Sequence, residues 1–417
     1  MTQTAGAPHQ PCAVPGVDLL DGSRFVAGAE HEMFDALREQ EPVSWHPLPE
    51  GGGFWAVVRH DDVATVNREW ERFTIKGGSI IGERDGFLGL GDEVLTLAAD
   101  PPLHTQMRLI VNRGFTPRAI EQLDAEIATL VERTLDEAEA AADGDVVDFV
   151  TEVGKLPARV VGAILGVPVE DRDQLGEWTS NITASGSRDN DVPDLGDAGN
   201  SLFGYALELA ADASKRSGDD LVSKLLDAEV DGRALTPVEL AIFFLILYTA
   251  GTETTRVAAA VGTLALLEHP DQWASLRGGE VSSATAVEEI VRWSTPVAYF
   301  QRHVRDDTEL RGVELHAGDP VVMWFTAANR DPEVFTDPHR FDLARDPNPH
   351  VAFGAGGPHY CLGVHLARNE LRHLFDALAV RYPDLALAGN AVWTPSNFTP
   401  GLASLPVSLG ERKGGRP

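Results

Sequence analysis

The chain has 417 residues, of which 43% are hydrophobic, so it can bury a large core. Its formal net charge of −30 argues against general nucleic-acid binding, because a duplex requires a basic footprint to displace its counterions. There are only two cysteines, Cys12 and Cys361, which argues against a disulfide framework and favours a reducing cytoplasm. The N-terminal residues show no apolar run after basic residues, and the apolar run at 241–248 is too short to cross a bilayer, so we expect no signal peptide and no membrane anchor.

The first part of the chain combines a terminal arm with a helix and a hairpin. Residues 1–20 are interrupted by Pro and Gly and are expected to lie on the surface, and 411–417 forms a short tail, so a single domain is predicted over 21–410. The pattern at 30–41 is that of a short amphipathic helix. A triple-glycine turn between aromatic and β-branched segments, within 44–58, predicts a β-hairpin.

A glycine-rich apolar segment at 76–98 is followed by a proline stop and a helix. A long loop of this kind is either disordered or functional, and its hydrophobicity favours a pocket lid. In the next segment, 100–108, His104 and Arg108 are four residues apart and share one helix face. The pair could bind an anion; the alternative is an ordinary solvated helix face.

The middle of the chain is predominantly helical. Helical periodicity runs over 117–166 and 202–228, with a polar, Asp-rich loop at 186–196 between them. Strands are predicted only as short segments, chiefly within 297–325 and 393–409. The predicted fold class is therefore mainly α with a minor β region.

The sequence Thr236-Pro237-Val238-Glu239 predicts the start of an unusually long helix, since it combines an N-cap, an N-terminal proline and a capping box. The apolar pattern continues to about residue 268, over ~48 Å, so this helix should be buried. At midspan stands Ala250-Gly251-Thr252-Glu253-Thr254-Thr255. Threonine can bond back to a helix carbonyl and open the helix, and an acid and a hydroxyl beside such a groove could hold a small ligand and move protons. The alternative is a kink with a satisfied glutamate.

The C-terminal part carries an ion-pair candidate and a cysteine loop. Glu289 and Arg292 are three residues apart on a predicted helix. The loop 353–363 presents Cys361 just before a helix-like run that starts at Val364. A helix N-terminus offers unpaired N–H groups and a positive dipole end, which favour a thiolate, the metal-binding form of cysteine. The alternative is a buried, inert cysteine beside a turn.

Four motifs in this order resemble the cytochrome P450 superfamily, in particular its soluble bacterial members. They are Ala250-Gly251-Thr252-Glu253-Thr254, Glu289-Ile290-Val291-Arg292, Arg340-Phe341 and Phe353-Gly354-Ala355-Gly356-Gly357-Pro358-His359-Tyr360-Cys361-Leu362-Gly363, with Asp100-Pro101-Pro102-Leu103-His104-Thr105 upstream. The resemblance covers about residues 20–410. It implies the cytochrome P450 fold, in which the long central helix passes over a haem.

The resemblance also implies a cofactor and its binding residues. The cofactor is haem b, iron protoporphyrin IX, with Cys361 as the axial thiolate, a ligand that donates electron density to the iron and favours O–O cleavage. Phe353 is implied to pack against the sulfur side of the porphyrin, and amides near Gly363 to hydrogen-bond the thiolate. The residues implied to bind the haem propionates are His104, Arg108, Arg302 and His359. The residues that correspond to a buried structural triad behind the loop are Glu289, Arg292 and Arg340.

The implied activity is that of a haem-thiolate monooxygenase, which inserts one oxygen atom of O₂ into a hydrophobic small molecule, most often as a hydroxylation. Gly251 and Thr254 are implied to flank dioxygen, and Glu253 to relay protons. Glu253 stands where many relatives have Asp. The common loop reads F-G-x-G-x-H-x-C, whereas this chain has one residue more before His359. A similar longer loop occurs in actinobacterial relatives that oxidise sterol side chains and methyl-branched lipids.

The expected pocket walls are mostly apolar, so the substrate is predicted to be a steroid, terpenoid, branched lipid or natural-product intermediate. The candidate wall residues are Ile80, Ile81, Leu88, Ala250, Val297, Tyr299, Phe300, Asn397 and Phe398.

No flavin or nicotinamide fingerprint occurs, so electrons from NAD(P)H are expected to arrive through separate proteins, a ferredoxin and its reductase. Such acidic partners require a local basic patch on this acidic chain. Its candidates are Arg108, Arg113, Arg368 and Arg372; the alternative is that these are ordinary solvated arginines. We expect a cytoplasmic monomer.

Two other functions stay open at this point. A haem-thiolate enzyme could instead catalyse epoxidation, coupling or peroxide-driven oxidation, although Glu253 and Thr254 favour O₂ activation. A non-catalytic haem sensor or electron carrier is the alternative from another class. It would need neither the acid and threonine of the long helix nor the apolar lid.

Overall fold

Helices are the predominant secondary structure of the protein. The computed structural model describes residues 9–83, 99–112, 114–186, 196–211, 220–230 and 233–410. The helices are α1 (Glu30–Gln40), α2 (His60–Arg68), α3 (Leu103–Asn112), α4 (Pro117–Gln122), α5 (Asp124–Ala141), α6 (Phe149–Glu152), α7 (Leu156–Leu165), α8 (Arg172–Gly186), α9 (Gly196–Ala211), α10 (Leu221–Leu226), α11 (Pro237–Glu268), α12 (Pro270–Arg277), α13 (Ser283–Ser294), α14 (Phe325–Ala328) and α15 (Val364–Arg381). Single turns of 3₁₀ helix occur at Gly22–Phe25 and Val153–Lys155.

The strands are short and assemble into small sheets. They are β1 (Val43–Pro47), β2 (Gly53–Val57), β3 (Phe73–Thr74), β4 (Val146–Asp148), β5 (Glu229–Val230), β6 (Arg233–Ala234), β7 (Tyr299–Val304), β8 (Thr308–Leu310), β9 (Val313–Leu315), β10 (Pro320–Trp324), β11 (Ala386–Leu387), β12 (Val392–Thr394), β13 (Gly401–Ser404) and β14 (Pro406–Ser408). The largest sheet has the order β1-β2-β10-β7-β3, in which β2 and β10 are parallel and the other neighbours antiparallel. The predicted hairpin is confirmed as β1–β2, where Trp45 pairs with Trp55.

Helix α11 is the central element, and its start is the one predicted. The Thr236 side chain accepts from the Glu239 N–H, and the Glu239 carboxylate accepts from the Thr236 N–H, which completes the capping box. By length and apolar composition α11 could cross a membrane, but 61% of its most apolar window is buried inside the protein, as in the core helix of a globular domain.

Two large hydrophobic clusters meet along α11. Residues 240–248 pack with α3 and α7–α10, whereas 257–266 pack with α5, α13 and α15. The interval 249–256 belongs to neither cluster. Within this interval Thr249, Ala250, Gly251 and Thr254 keep accessible surface, whereas Thr252, Glu253 and Thr255 are buried.

Candidate active site

Cys361 lies at the end of a glycine-rich loop that leads into α15. Its backbone N–H donates to the Phe353 carbonyl at 2.9 Å, and α15 begins at Val364. Gly354 and Gly356 have φ of 87° and 90°, which a residue with a Cβ rarely adopts, so the turn requires glycine there. Protein surrounds the Cys361 side chain, yet part of its surface stays accessible, as expected for a group that lines an internal space.

Opposing effects act on the sulfur. Burial raises the pKa of the Cys361 thiol, while the Gly363 backbone N–H and the charges of Arg108 and Arg368 lower it; burial is the larger effect. Coordination to a metal ion would reverse that balance, because a coordinated thiol is deprotonated. The surroundings thus supply two positive groups and an amide for a thiolate, and a metal ion would supply the remaining charge.

The end of α2 contacts this loop. Asn67 Nδ2 donates to the Gly356 carbonyl at 2.6 Å, and Arg68 Nε donates to the Ala355 carbonyl. A Cβ at Gly357 would lie 2.6 Å from the Asn67 carbonyl oxygen, so this residue also has to be glycine. The contact accommodates the loop at the point where it is longer than the common motif.

The predicted cationic residues lie together beside the loop. The rings of His104 and His359 are 4.2 Å apart, and Arg108 donates to the Pro358 carbonyl at 2.9 Å. Arg302 is 3% exposed and forms no ion pair with any described residue. Burial lowers the pKa of His104 to about 4 and that of Arg302 to about 10, and burial together with the neighbouring cations holds the pKa of His359 well below its usual value.

This cluster fits a ligand with two carboxylates. Both ring nitrogens of His359 and Nδ1 of His104 are buried without a hydrogen-bond partner among the described residues. Buried polar atoms are normally paired, and a guanidinium matches a carboxylate well. Because the same cluster adjoins Cys361, the residues present fit a haem, with its propionates at the cations and its iron at the sulfur.

The interval 249–256 presents an accessible face on an otherwise buried helix. Ala250 is exposed, and Gly251 and Thr254 are partly exposed. Thr254 Oγ1 donates to the Ala250 carbonyl at 2.6 Å, yet the helix continues unbroken. The back-bond expected of a threonine is therefore confirmed, and the helix is not interrupted at this point.

Gly251 has a packing role that its motif did not reveal. A Cβ at this position would lie 2.7 Å from Cγ2 of Val161 in α7. Glycine therefore lets α7 approach α11 closely. That Gly251 also flanks dioxygen stays a prediction.

Glu253 is engaged in an ion pair. Its carboxylate is 5% exposed and accepts from Arg256 Nε at 2.8 Å, while Arg256 Nη1 donates to the Leu402 carbonyl at 3.3 Å. Burial lowers the pKa of Arg256 and the charge of Glu253 raises it, with a net rise. The expected proton relay thus begins from a paired carboxylate that an arginine holds against β13.

The buried structural network differs from the predicted triad in one member. Glu289 and Arg292 are both 0% exposed, with Nε–Oε2 and Nη2–Oε1 distances of 2.7 and 2.8 Å. The second arginine on Glu289 is Arg345, whose Nε lies 3.2 Å from Oε2. Arg340 was predicted in this place and is wrong: its side chain is 64% exposed and lies 4.0 Å from Asp342.

The backbone explains that difference. The turn that begins at Asp337 directs the Arg340 side chain outward and its carbonyl inward, where it accepts from Arg292 and Arg345 at 3.2 and 2.9 Å. Arg340 therefore contributes its main chain, and Arg345 contributes the charge.

Three predicted pocket residues are buried in the core. Tyr299 is 2% exposed and packs against Trp324 with ring centroids 4.8 Å apart and the ring planes tilted by 53°. Ile81 is 6% exposed, and the Asn397 amide donates to the Leu19 carbonyl at 2.9 Å. These three predictions are wrong for the structure as it stands, because side chains in a strand alternate between faces and a polar side chain near a turn can bond to the main chain.

The other wall candidates keep accessible surface. Phe300, which follows Tyr299 in β7, lies on the opposite face of the sheet, 5.9 Å from the ring of Phe398. The remaining partly or fully accessible candidates are Ile80, Ala250 and Val297. Leu88 lies outside the described residues.

The candidate basic patch is largely neutralised. Arg368 donates to both Glu288 oxygens at 2.7 and 2.6 Å, and its guanidinium carbon lies 5.0 Å from the centre of the Phe353 ring. Arg372 donates to Asp124 at 2.8 Å. Arg108 is bonded to the cysteine loop, and the side chain of Arg113 lies outside the described residues. Two of the four candidates, Arg368 and Arg372, are therefore ion-paired with acids.

Sequence reasoning missed three residues of this region. Arg256 could have been found, because it is three residues from Glu253, the spacing used for Glu289 and Arg292. Arg345 follows its partner by 56 residues, and Asn67 precedes Gly356 by 289. No local pattern connects such distant positions.

A mainly helical fold, a cysteine loop and the adjoining arginines and unpaired histidines fit a haem-thiolate protein, and comparison with known proteins agrees. The sequence model of the cytochrome P450 family matches residues 284–404. A steroid C26-monooxygenase of Rhodococcus jostii is 37% identical over 98% of this chain and 88% of its own length. A methyl-branched lipid omega-hydroxylase of Mycobacterium tuberculosis is 36% identical, with 98% of both chains covered. A cytochrome P450 of Mycobacterium marinum in complex with pseudoionone has a TM-score of 0.86 and 36% identity, over 97% of this chain and all of the other.

The chain therefore belongs to the cytochrome P450 family. It is a haem-thiolate monooxygenase that hydroxylates hydrophobic substrates, with electrons from NAD(P)H delivered by redox partners. The predicted fold class, cofactor and activity are confirmed.

Proposed function

We propose that this enzyme hydroxylates steroids, terpenoids or methyl-branched lipids, with Cys361 as the axial ligand of its haem. The observation that carries the proposal is the cysteine loop beside Arg108, Arg302 and two histidines whose buried ring nitrogens lack hydrogen-bond partners among the described residues. The relatives named above act on steroids and methyl-branched lipids, and another, from Mycobacterium marinum, was solved with pseudoionone. The accessible wall residues Ile80, Phe300 and Phe398 are apolar, which supports a hydrophobic substrate.

The chain's own groups would hold the haem from two directions. Arg108 and Arg302 would bind the propionates, and His104 and His359 would satisfy their unpaired ring nitrogens there. The Phe353 ring would pack beside the sulfur, with the Arg368 guanidinium on it. Bound haem supplies the reductive activation of O₂.

Residues of α11 would manage the protons. The Thr254 hydroxyl is partly accessible and bonded only to its own helix, so a rotation about χ1 would let it donate into the accessible space. Glu253 would pass protons from solvent once Arg256 releases one of its oxygens, and the bond from Arg256 to Leu402 shows where that guanidinium is anchored. Thr254 would thus donate a hydrogen bond into the accessible space, and Glu253 would supply protons from solvent.

Thr254→Ala tests this assignment. We expect haem and substrate binding to persist while product per NAD(P)H consumed falls roughly tenfold and hydrogen peroxide accumulates instead. Thr252→Ala is the matched control, since Thr252 is 1% exposed and lies on another face of α11. Full coupling in Thr254→Ala would contradict the role.

A spectral binding screen tests the substrate class. Steroids, terpenoids and branched fatty compounds should give type I shifts, because an apolar ligand displaces water near the iron, and product analysis would then locate the added oxygen. If none of these compounds gave a shift and a polar aminoacyl conjugate bound tightly, the proposed class would be overturned.

We further propose a ferredoxin and its reductase as electron donors, in the cytoplasm. Support comes from the absence of flavin and nicotinamide fingerprints in the sequence and from the bacterial relatives. Because Arg368 and Arg372 are paired with acids, their contribution to docking would be small, and a weak salt dependence of the reduction rate would show it.

A further inference from the structure

Asn67, in the last turn of α2, joins two parts of the site that no motif connects. The side chain is 3% exposed. Its Nδ2 donates to the Gly356 carbonyl at 2.6 Å, and its Oδ1 accepts from Arg302 Nη2 at 3.1 Å. The amide orientation follows from these partners, because the reverse orientation would set donor against donor and acceptor against acceptor.

The first partner belongs to the cysteine loop. Gly356 is the second glycine of the common motif and Gly357 follows it in the lengthened part of the loop, where a Cβ at Gly357 would lie 2.6 Å from the Asn67 carbonyl oxygen. Arg68 contacts the neighbouring Ala355 carbonyl but makes no bond to Arg302. The two adjacent residues of α2 therefore share the loop, and only Asn67 also reaches β7.

The second partner is the buried cation. Arg302 donates to the Gln301 carbonyl at 2.7 Å and to Asn67, and both acceptors are neutral. The guanidinium direction is thus fixed without an ion pair to any described residue, and the charge of Asp100 acts on it only from beyond ion-pair distance. A carboxylate at position 67 would compensate that charge within the protein and leave the Gly356 carbonyl without its donor.

We propose that Asn67 is a positioning residue that couples the cysteine loop to Arg302: its neutral amide fixes the guanidinium and leaves its charge for an acid group of bound haem. The proposal rests on the assignment of Cys361 and Arg302 to the haem site made above. It predicts that charge at position 67, more than size, controls haem retention and potential.

Three variants test the proposal, with haem transfer to apomyoglobin and the reduction potential as measurements. Asn67→Asp should speed haem loss at least about tenfold, as expected when a bond to a charged group is redirected, and should lower the potential because added negative charge favours the ferric state. Asn67→Ala should speed haem loss less and shift the potential little. Arg68→Ala, the matched control, loses a loop contact but not Arg302, and should stay within about twofold of wild type.

Equal shifts in Asn67→Asp and Asn67→Ala, or an Arg68→Ala effect as large as that of Asn67→Ala, would reduce Asn67 to a loop contact and overturn the proposal. Arg302→Gln separates this failure from that of the proposed haem site. If Arg302→Gln changes both measurements and Asn67→Asp changes neither, the coupling is wrong and the haem assignment survives. If Arg302→Gln changes neither, both are overturned.

Discussion

The two sides of the expected haem site are built differently. On the cysteine side, the network behind the loop is densely paired: the Glu289 carboxylate alone accepts from Arg292, Arg345, Asn348 and the backbone N–H of Asp342. On the α11 side, the Thr254 hydroxyl bonds only to its own helix, and the Thr249 hydroxyl finds no partner among the described residues.

That difference separates a fixed scaffold from an adaptable surface. A ligand loop must hold one geometry, so its neighbours over-determine it. A pocket for a hydrophobic substrate needs accessible apolar surface and a few polar groups that are free to change partners. Substitutions on the two sides test how sharply the fixed scaffold is separated from the adaptable surface.

The largest effect is expected at the centre of the cysteine side. Cys361→Ser should abolish the red-shifted Soret band of the reduced carbon monoxide complex and the monooxygenase activity, because an alcohol is not a thiolate donor at neutral pH. Cys12→Ser is the control and should retain both. A red-shifted band in Cys361→Ser would mean that another residue ligates the iron.

The next largest effect is expected in the buried network around Glu289. Glu289→Gln should reduce the free energy of unfolding by about 3–5 kcal/mol, since it leaves Arg292 buried without its counter-charge. Arg340→Ala should change it by less than about 0.5 kcal/mol, because that side chain is exposed and its inward carbonyl is unchanged. Denaturant titration measures both, and a larger loss in Arg340→Ala than in Arg345→Ala would restore the triad expected from the sequence.

The same network shows which contacts could be predicted from the sequence. The i,i+3 spacing identified Glu289 and Arg292, and the capping box identified the start of α11, because both are local patterns. Arg340 and Arg345 lie in one turn-rich segment, where the backbone path decides which side chain points inward. Likewise either Tyr299 or Phe300 could face an apolar environment, and only the observed sheet register shows which side chain points into the core.

One buried acid on the cysteine side, Glu370, lacks the hydrogen-bond partners that Glu289 has. Glu370 is 1% exposed, its Oε1 has no hydrogen-bond partner among the described residues, and burial raises its pKa to about 8. The folded state therefore keeps the proton, whereas the unfolded chain loses it near pH ~4.3. The contribution of Glu370 to wild-type stability should fall as pH rises between these two values and level off above about pH 8.

Glu370→Gln removes that dependence, because an amide does not titrate. The variant's stability relative to wild type should rise by about 2–3 kcal/mol between pH 5.5 and 7.5, which denaturant titrations at the two pH values measure. A constant difference between the two proteins would show that Glu370 is ionised in the fold and has a partner after all.

The smallest effect concerns the adaptable side. Phe300→Leu should weaken binding of a type I ligand by about five- to tenfold, since accessible aromatic surface is lost from the wall, whereas Tyr299→Phe should leave binding within about twofold. The Tyr299 hydroxyl hydrogen-bonds with the Ile81 backbone, and its ring packs on Trp324. Tyr299→Phe should therefore lower the free energy of unfolding by about 1 kcal/mol. Spectral titration and denaturant unfolding of both variants separate the two readouts. The reverse result, a binding effect at Tyr299 and none at Phe300, would place the substrate on the other face of β7.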